Sequence, residues 1–403
     1  MFDDLLLLKT GGEVVFHGEL GNNYRGLIDY FETRGATPIE LGDNPANWML
    51  RVLMEERMGN LAQTWKESPV FAALQEELRV ESPSADAKIE YKSEFARGRI
   101  ARQLLTNRRL RTIYWRSPVY NLGRLIVSLV IAFSLVVVFV TERKKLVYTE
   151  PEIRARISCI FFSNIIVGIM SIISILPVMT WIRDMYYRHR NTGMYDSASI
   201  GVALGTAEEP FICLSTLLFC VVFLTTSGLG AGAPGFESYF VFWGFFTFNA
   251  ALFSFFGQLF VCATKSIKTA LVLVGVYIGF NNLFAGLIIR PQEMSTGFYA
   301  ITYYLTPGHY VFEGEVTAIM SNSLRSVQAS VGSSYYEWLV DAGTCVLDQP
   351  VSCIGSQHEF ILYFFGGEYV EEHIARNAYI LGGVLVLVRF FTYLALKYIR
   401  FSD

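Results

Sequence analysis

Six apolar stretches stand apart from the rest of this chain, over residues 119–140, 156–182, 210–229, 239–262, 269–289 and 375–399. Each comes near the roughly 20 residues that carry a helix across the hydrocarbon core of a bilayer, so the pattern predicts an α-helical, six-span integral membrane protein. Ahead of them the pattern is of another kind. An apolar run over 4–8, the pair Gly11-Gly12 and a second run over 13–16 predict two strands joined by a turn. Residues 24–34 place Leu27, Ile28, Tyr30 and Phe31 on one helical face. Beyond the Gly42-Asp43-Asn44-Pro45 break, residues 46–54 start another amphipathic helix with Trp48, Leu50, Val52 and Leu53. This α/β unit over 1–56 has only about fifty residues, too few for an independent core.

Residues 57–94 are polar and broken by Pro69 and Ser82-Pro83-Ser84, a cytosolic linker with one short helix over 71–80. Over 95–117, Arg97, Arg99, Arg102, Arg108, Arg109, Arg111 and Arg116 alternate with Ile100, Leu104, Leu105, Leu110, Ile113, Tyr114 and Trp115. Such a basic amphipathic helix lies among the headgroups of an anionic leaflet. An RNA-binding arm would share the charge, but the position directly before a span favours lipid.

Composition agrees with the membrane class: 52% of residues are hydrophobic and 17% charged, and the net charge of −3 gives no reason to expect nucleic acid as a partner. No cleavable signal stands at the start, where Asp3-Asp4 replaces a basic region and Leu5 to Leu8 is too short a core. The basic helix before the first span puts the N-terminus in the cytosol, and an even number of spans returns the C-terminus there. Arg183, Arg188, Arg190, Lys265 and Lys268 then fall on inner loops, and Lys397 and Arg400 close the last span. Arg143, Lys144, Lys145 and Arg154 run against the rule, on an outer loop.

Between the fifth and sixth spans, over 290–373, residues 298–320 are apolar and interrupted by Thr306-Pro307-Gly308, which suits a re-entrant or interfacial helix pair. Residues 321–357 are polar, like an exposed outer loop. Cys345 and Cys353 sit close together there, in an oxidising compartment, and are expected to be bridged; two free thiols are the alternative. Cys159, Cys213, Cys220 and Cys262 read as small packing residues.

Motifs that carry chemistry are few. There is no G-x-x-x-x-G-K-[ST] loop, no H-E-x-x-H and no cluster with metal-ligand spacing. Gly228-Leu229-Gly230-Ala231-Gly232 reads as a tight turn between spans. Gly275-x-x-x-Gly279 is a helix-packing pattern or a chance pair. Arg389, in the last span, is expected to snorkel toward the headgroups. The strongest polar constellation is Arg183-Asp184-Met185-Tyr186-Tyr187-Arg188-His189-Arg190 with Met194-Tyr195, either a helical extension that presses on a cytosolic partner or a solvated basic loop end.

Several segments together resemble one family. Asp4-Leu5-Leu6-Leu7-Leu8-Lys9-x-Gly11-Gly12, Phe16-x-Gly18-Glu19-Leu20-Gly21, Leu27-Ile28-Asp29-Tyr30-Phe31-Glu32 and Asn44-Pro45-Ala46-x-Trp48-Met49-Leu50 resemble the pleiotropic-drug-resistance branch of the G-type ABC transporters. So do Tyr187-Arg188-His189-Arg190 with Gly193-Met194-Tyr195, Glu209-Pro210, Phe284-Ala285-Gly286-Leu287-Ile288-Ile289-x-Pro291 and Tyr303-Tyr304-Leu305-Thr306-Pro307. The similarity runs over nearly the whole chain and is weakest in the linker and outer loop.

The resemblance implies a C-terminal piece of an exporter of amphipathic compounds, lipids or xenobiotics, driven by ATP with Mg. The piece would comprise the end of the second nucleotide-binding domain and the second six-span domain. The Walker A loop, signature motif, Walker B carboxylate and switch histidine would all precede the hairpin at Asp4. His17 is then not the switch histidine, and the chain alone should neither bind nor hydrolyse ATP. Partners would be the nucleotide-binding domains, the first transmembrane half, the lipid bilayer and an amphipathic substrate, in the plasma membrane. Coupling falls to Arg183, Asp184, Arg188, His189, Arg190 and Tyr195. The substrate pathway falls to Phe161, Phe162 and Asn164 on span two and Asn281, Asn282 and Phe284 on span five, each of which could equally be packing glue. The rival readings are a motorless channel or scaffold and a secondary permease, for which the spans offer almost no mid-bilayer charges.

Overall fold

The computed structural model describes residues 3–55, 58–80, 93–95, 97–137, 144–229, 235–293, 297–345 and 353–401, in two compact units, Met1–Lys92 and Ser93–Asp403. In the first, Asp4–Leu8 (β1) and Val14–Glu19 (β2) pair antiparallel with Leu6 opposite His17. Gly11 and Gly12 make the turn at φ 100° and 84°, a region open to glycine without a Cβ clash. Four helices follow: Arg25–Glu32 (α1), Pro45–Val52 (α2), Leu61–Lys66 (α3) and Pro69–Val80 (α4). Asn44 caps α2 by accepting the Ala46 N–H, and Pro45 starts it where no N–H is needed.

Phe16, Phe31, Trp48, Val52 and Trp65 close a shared core. Phe16 lies 5.0 Å from Tyr30, edge to face, and the Trp48 indole donates to the Thr37 carbonyl at 2.7 Å. The division expected at residue 56 falls inside this unit. Leu61, Ala62 and Trp65, from the stretch expected as linker, are buried against the hairpin at helical spacing and complete a core that 1–56 alone would leave open. Ser82-Pro83-Ser84 lies outside the described residues.

In the second unit, the basic stretch forms Arg99–Trp115 (α5) and the first apolar stretch Pro118–Val136 (α6). A short strand, Val147–Thr149 (β3), leads directly into the 42-residue helix Glu150–Asn191 (α7) through a Thr149/Glu152 capping box. Next come Ser197–Ser227 (α8), Phe236–Ala263 (α9) and Ile267–Leu283 (α10). Phe298–Leu305 (α11) and Pro307–Met320 (α12) are separated at Thr306-Pro307, where proline opens a new helix instead of continuing the old one. Ser326–Ala329 (β4), Ser334–Asp341 (α13), Cys353–Ser356 (β5), Gln357–Phe365 (α14) and His373–Tyr398 (α15) complete the order. β4 lies between β3, parallel, and β5, antiparallel. A Cys345–Cys353 disulfide, with Cα atoms 6.2 Å apart, ties the end of α13 to β5.

Every apolar stretch predicted to span lies largely within a helix, yet they differ in reach. Among the described residues, α7, α8, α9 and α15 are long and apolar enough to cross a membrane. A fifth crossing arises if α5 and α6, bent by 58°, act as one broken span, whereas α10 has 17 residues. At 1.5 Å per residue α7 is about 63 Å long, twice the hydrocarbon thickness, so it extends well beyond it. At the centre, α9 packs on α7, α8, α10, α12 and α15. Helix α12, read from sequence as re-entrant or interfacial, is buried at every residue from Gly308 to Met320. Arg143 and the Gly230-Ala231-Gly232 part of the turn after α8 lie outside the described residues. Lys145, on the expected outer loop, pairs with Glu152.

Candidate functional site

The α7–α8 junction gathers most of the polar constellation. Arg183 is buried and donates from one guanidinium nitrogen to the Val261 and Thr264 carbonyls, at 2.8 and 2.7 Å. These carbonyls end α9 and have no intrahelical partner, so a cation there answers both their lone pairs and the helix dipole. Asp184 stands exposed beside Arg183, 3.2 Å from it. Arg190 does the same for α15, donating to the Leu396 and Lys397 carbonyls at 2.9 and 3.0 Å. His189 meets the Tyr195 hydroxyl at 2.9 Å and has Arg109 of α5 3.4 Å from its ring nitrogens. Tyr195 is buried and stacked on Tyr186, whose hydroxyl reaches Ser197 at 2.8 Å. Five of the six expected coupling residues are thus joined into one knot through α5, α7, α8, α9 and α15; Arg188, beside His189, is exposed.

Asp196 caps α8, accepting from the Ser199 N–H at 3.3 Å and its hydroxyl, and lies 3.5 Å from Arg102. Burial works against its charged form, but the Ser199 hydrogen bond and the Arg102 charge outweigh it and hold its pKa below the usual carboxylate range.

The expected pathway residues divide differently. Phe161 is buried against Phe312 of α12, with ring centroids 5.5 Å apart, whereas Phe162 is 52% exposed. The Asn164 amide donates to the Glu315 carboxylate of α12, and its backbone carbonyl accepts from Asn249 at 3.0 Å. Asn281 accepts the Gly308 N–H at 3.0 Å, at the start of α12. Asn282 is half-buried, and Phe284 is buried 5.0 Å from Phe280. Spans two and five are therefore both tied to α12, and Asn164 and Asn281 are held in its packing. Around Gly275 and Gly279 an added Cβ would meet nothing within 4 Å, so among the described residues neither glycine is a point of close helix packing.

Three polar groups escaped sequence reading. Arg124, within the first apolar stretch, forms a buried ion pair with Glu208 at 2.8 Å and donates to Ser171 at 3.0 Å and Ser254 at 3.2 Å. Tyr120 donates to the same carboxylate. Glu313 of α12 is met by His373 at 2.8 Å and Arg376 at 3.5 Å. Glu315 is fully buried with Asn164. An isolated arginine in an apolar run was the available signal for the first. Arg389 corrects an expectation: it does not snorkel, but turns inward to the Gln258 side chain and the Gly201 carbonyl, with its guanidinium 4.8 Å over Phe255. Helix α8 passes close enough at Gly201 and Gly205 to accept it.

Residues 102–320 match the family model described as ABC-2 type transporter. ABC transporter G family member 31 of Arabidopsis thaliana is 28% identical over 408 residues, covering 100% of this chain and 27% of that protein. Member 51 of the same family in Oryza sativa subsp. japonica is 31% identical over 84% of this chain and 24% of its own length. Member 14 of Dictyostelium discoideum is 28% identical over 79% of the chain and 22% of its own. The chain thus spans about a quarter of the length of the curated relatives it matches.

Proposed function

Because this chain belongs to the ABC-2 type transporter family and is homologous to ABC transporter G family members, we propose that it is the membrane-spanning part of an ATP-driven exporter of amphipathic compounds. Within that family we assign it to the pleiotropic-drug-resistance branch, on the motifs from Asp4 to Pro307. It works with nucleotide-binding domains that hold ATP and Mg, and with a first transmembrane half, in the plasma membrane with both termini cytosolic. In this reading the first span is α6 and the fifth is α10 extended by the residues after it, which gives six. The residues over 1–92 are the end of a nucleotide-binding domain, and the chain itself neither binds nor hydrolyses ATP.

The observation that carries the proposal is the knot at the α7–α8 junction. Arg183 and Arg190 hold the last carbonyls of α9 and α15, so a push on the exposed Asp184–Arg188 surface by a nucleotide-binding domain moves three long helices together. That movement switches an apolar cavity between inward and outward access. Phe162 and Asn282, which are not enclosed in the packing of α12, contact the substrate; Asn164 and Asn281 position α12. In the assembled transporter, Asp184→Ala and Arg188→Ala should leave ATP hydrolysis intact and lower transport per ATP by at least about fivefold, the lower end of ordinary coupling energies. Unchanged transport per ATP would refute the coupling role. A chain that reaches the membrane but recruits no nucleotide-binding domain would be a scaffold instead.

A further inference from the structure

We propose that the cavity where α5 begins binds the phosphate of an anionic lipid headgroup. It has a volume of about 560 Å³ and is walled by the start of α5, the start of α8 and the last turns of α15. Its charged lining is Arg97, Arg99, Arg102 and Lys397 against Glu94 and Asp196, four cations to two carboxylates and so an excess of two positive charges.

Arg102 is the central group. It is 8% exposed, its guanidinium lies 3.9 Å over the Phe95 ring, its enclosed Nε faces Asp196 without a hydrogen bond, and its two terminal nitrogens make no hydrogen bond among the described residues. Its ionic contact is Asp196 at 3.5 Å, a carboxylate already engaged in capping α8 through Ser199. A buried guanidinium with donors to spare calls for an oxyanion, and its planar fork suits phosphate. Helix α5 adds a second source of donors. Its N-cap, Gly98, has no side chain to accept the first-turn N–H groups, and no acidic residue stands in that turn. Those groups and the positive end of a 17-residue helix therefore face the same space.

The wall is fixed in advance: Gln103 donates to the Ser199 carbonyl at 3.2 Å and Thr206 to the Asn107 amide oxygen at 3.1 Å, locking α5 to α8. The source of the phosphate follows from the surroundings. Ile100, Leu104 and Leu105, just beyond the cavity, are 78%, 63% and 56% exposed, a surface suited to acyl chains below a headgroup. A soluble phosphate has no use for that surface.

The test is a titration of the full chain, in neutral detergent, with dihexanoyl phosphatidic acid, dihexanoyl phosphatidylcholine and inorganic phosphate, read by calorimetry. Phosphatidic acid should bind saturably and phosphatidylcholine should not. Arg97→Gln and Lys397→Gln should each weaken binding severalfold, since each removes one of the four cations that line the cavity. Arg108→Gln and Arg111→Gln, exposed on α5 outside the cavity, should change it by less than twofold. Arg102→Gln should abolish binding; if that variant does not fold, the two exposed positions decide. Equal losses at Arg108 and Arg111 would overturn the site in favour of a diffuse basic surface. Inorganic phosphate binding as tightly as phosphatidic acid would overturn the lipid assignment, and no effect of Arg97→Gln or Lys397→Gln would overturn both.

Discussion

The ion pair between Arg124 and Glu208 offers the sharpest test of how this bundle is held together. The side chains are 6% and 0% exposed, and between them they join α6 to α8 directly and to α7 and α9 through Ser171 and Ser254. Replacing Arg124 with Met leaves a carboxylate buried with only Tyr120 to answer it, and replacing Glu208 with Gln leaves the guanidinium without a counter-charge. Breaking a buried pair from one side costs about 3–5 kcal/mol, because the remaining charge is uncompensated. Removing both charges together escapes that cost, since neutral groups of similar volume need no counter-ion. Each single substitution should therefore lose about 3–5 kcal/mol, while Arg124→Met with Glu208→Gln should lose no more than either alone, a coupling of at least about 3 kcal/mol. The assay is a double-mutant cycle on reversible unfolding of the chain in mixed micelles, followed by tryptophan fluorescence. Additivity of the two singles within about 0.5 kcal/mol would refute the reasoning, since independent sites behave that way.

A Cβ built on Gly314 would lie 2.5 Å from the Phe245 ring, so Gly314→Ala should destabilise by about 1–3 kcal/mol, with Phe245→Leu restoring much of it in the same unfolding assay. At Gly275 and Gly279 nothing lies within 4 Å, and alanine there should stabilise the isolated chain by about 0.5–1 kcal/mol through helix propensity. The Cys345–Cys353 bridge closes a loop with a separation of 8 residues, for which chain entropy predicts about 2.5 kcal/mol. Cys345→Ser should lose about that much, and alkylation under non-reducing conditions should leave the native pair unlabelled. Asp196 has a lowered folded pKa, so its contribution is present above the unfolded carboxylate value of about 3.9 and is lost as pH falls through the lower folded value. Asp196→Asn should flatten that acid limb of the stability profile, and an unchanged limb would count against the Ser199 and Arg102 contacts.

Local pattern carried much of the architecture. The apolar stretches became helices because a run of some 20 apolar residues has few other ways to satisfy its backbone in a membrane. The hairpin at Gly11-Gly12 and the break at Thr306-Pro307 were equally local, since each depends on a residue whose backbone freedom differs from all others. What the sequence concealed was non-local. Helix α12 carries His309, Glu313 and Glu315, which in one dimension mark an exposed or interfacial segment; partners on α7 and α15 are what allow it to be buried. Arg124 looks like a lone charge in a span because Glu208 lies 84 residues away. Phe161 and Phe162 are indistinguishable by composition, yet one packs on Phe312 and the other faces outward, a difference of 100° around one helix. The same limit hid Trp65, whose place in the first core depends on the hairpin it covers.

The close packing of α7 on α9 bears on how any movement at the α7–α8 junction would travel. Pro177 lies within the continuous helix α7 and would be the natural hinge, since proline removes one hydrogen bond of the helix ladder. On one side of it, Gly168 and Gly257 bring the two helices so near that added Cβ atoms would lie 2.9 Å from Phe253 and 2.7 Å from Ile175. On the other side, Arg183 holds the end of α9 through two carbonyls. Both halves of α7 are thus fastened to the same partner, and bending at Pro177 would have to break one fastening. A force applied at Asp184 would more easily shift α7 and α9 as one body. Their shared neighbour α12 would then receive the displacement, through Phe312 against Phe161 and Glu315 against Asn164. In the proposed coupling, the contact that moves would then be the one at α12, with its buried carboxylates, and the α7–α9 pair would be the rigid element that reaches it.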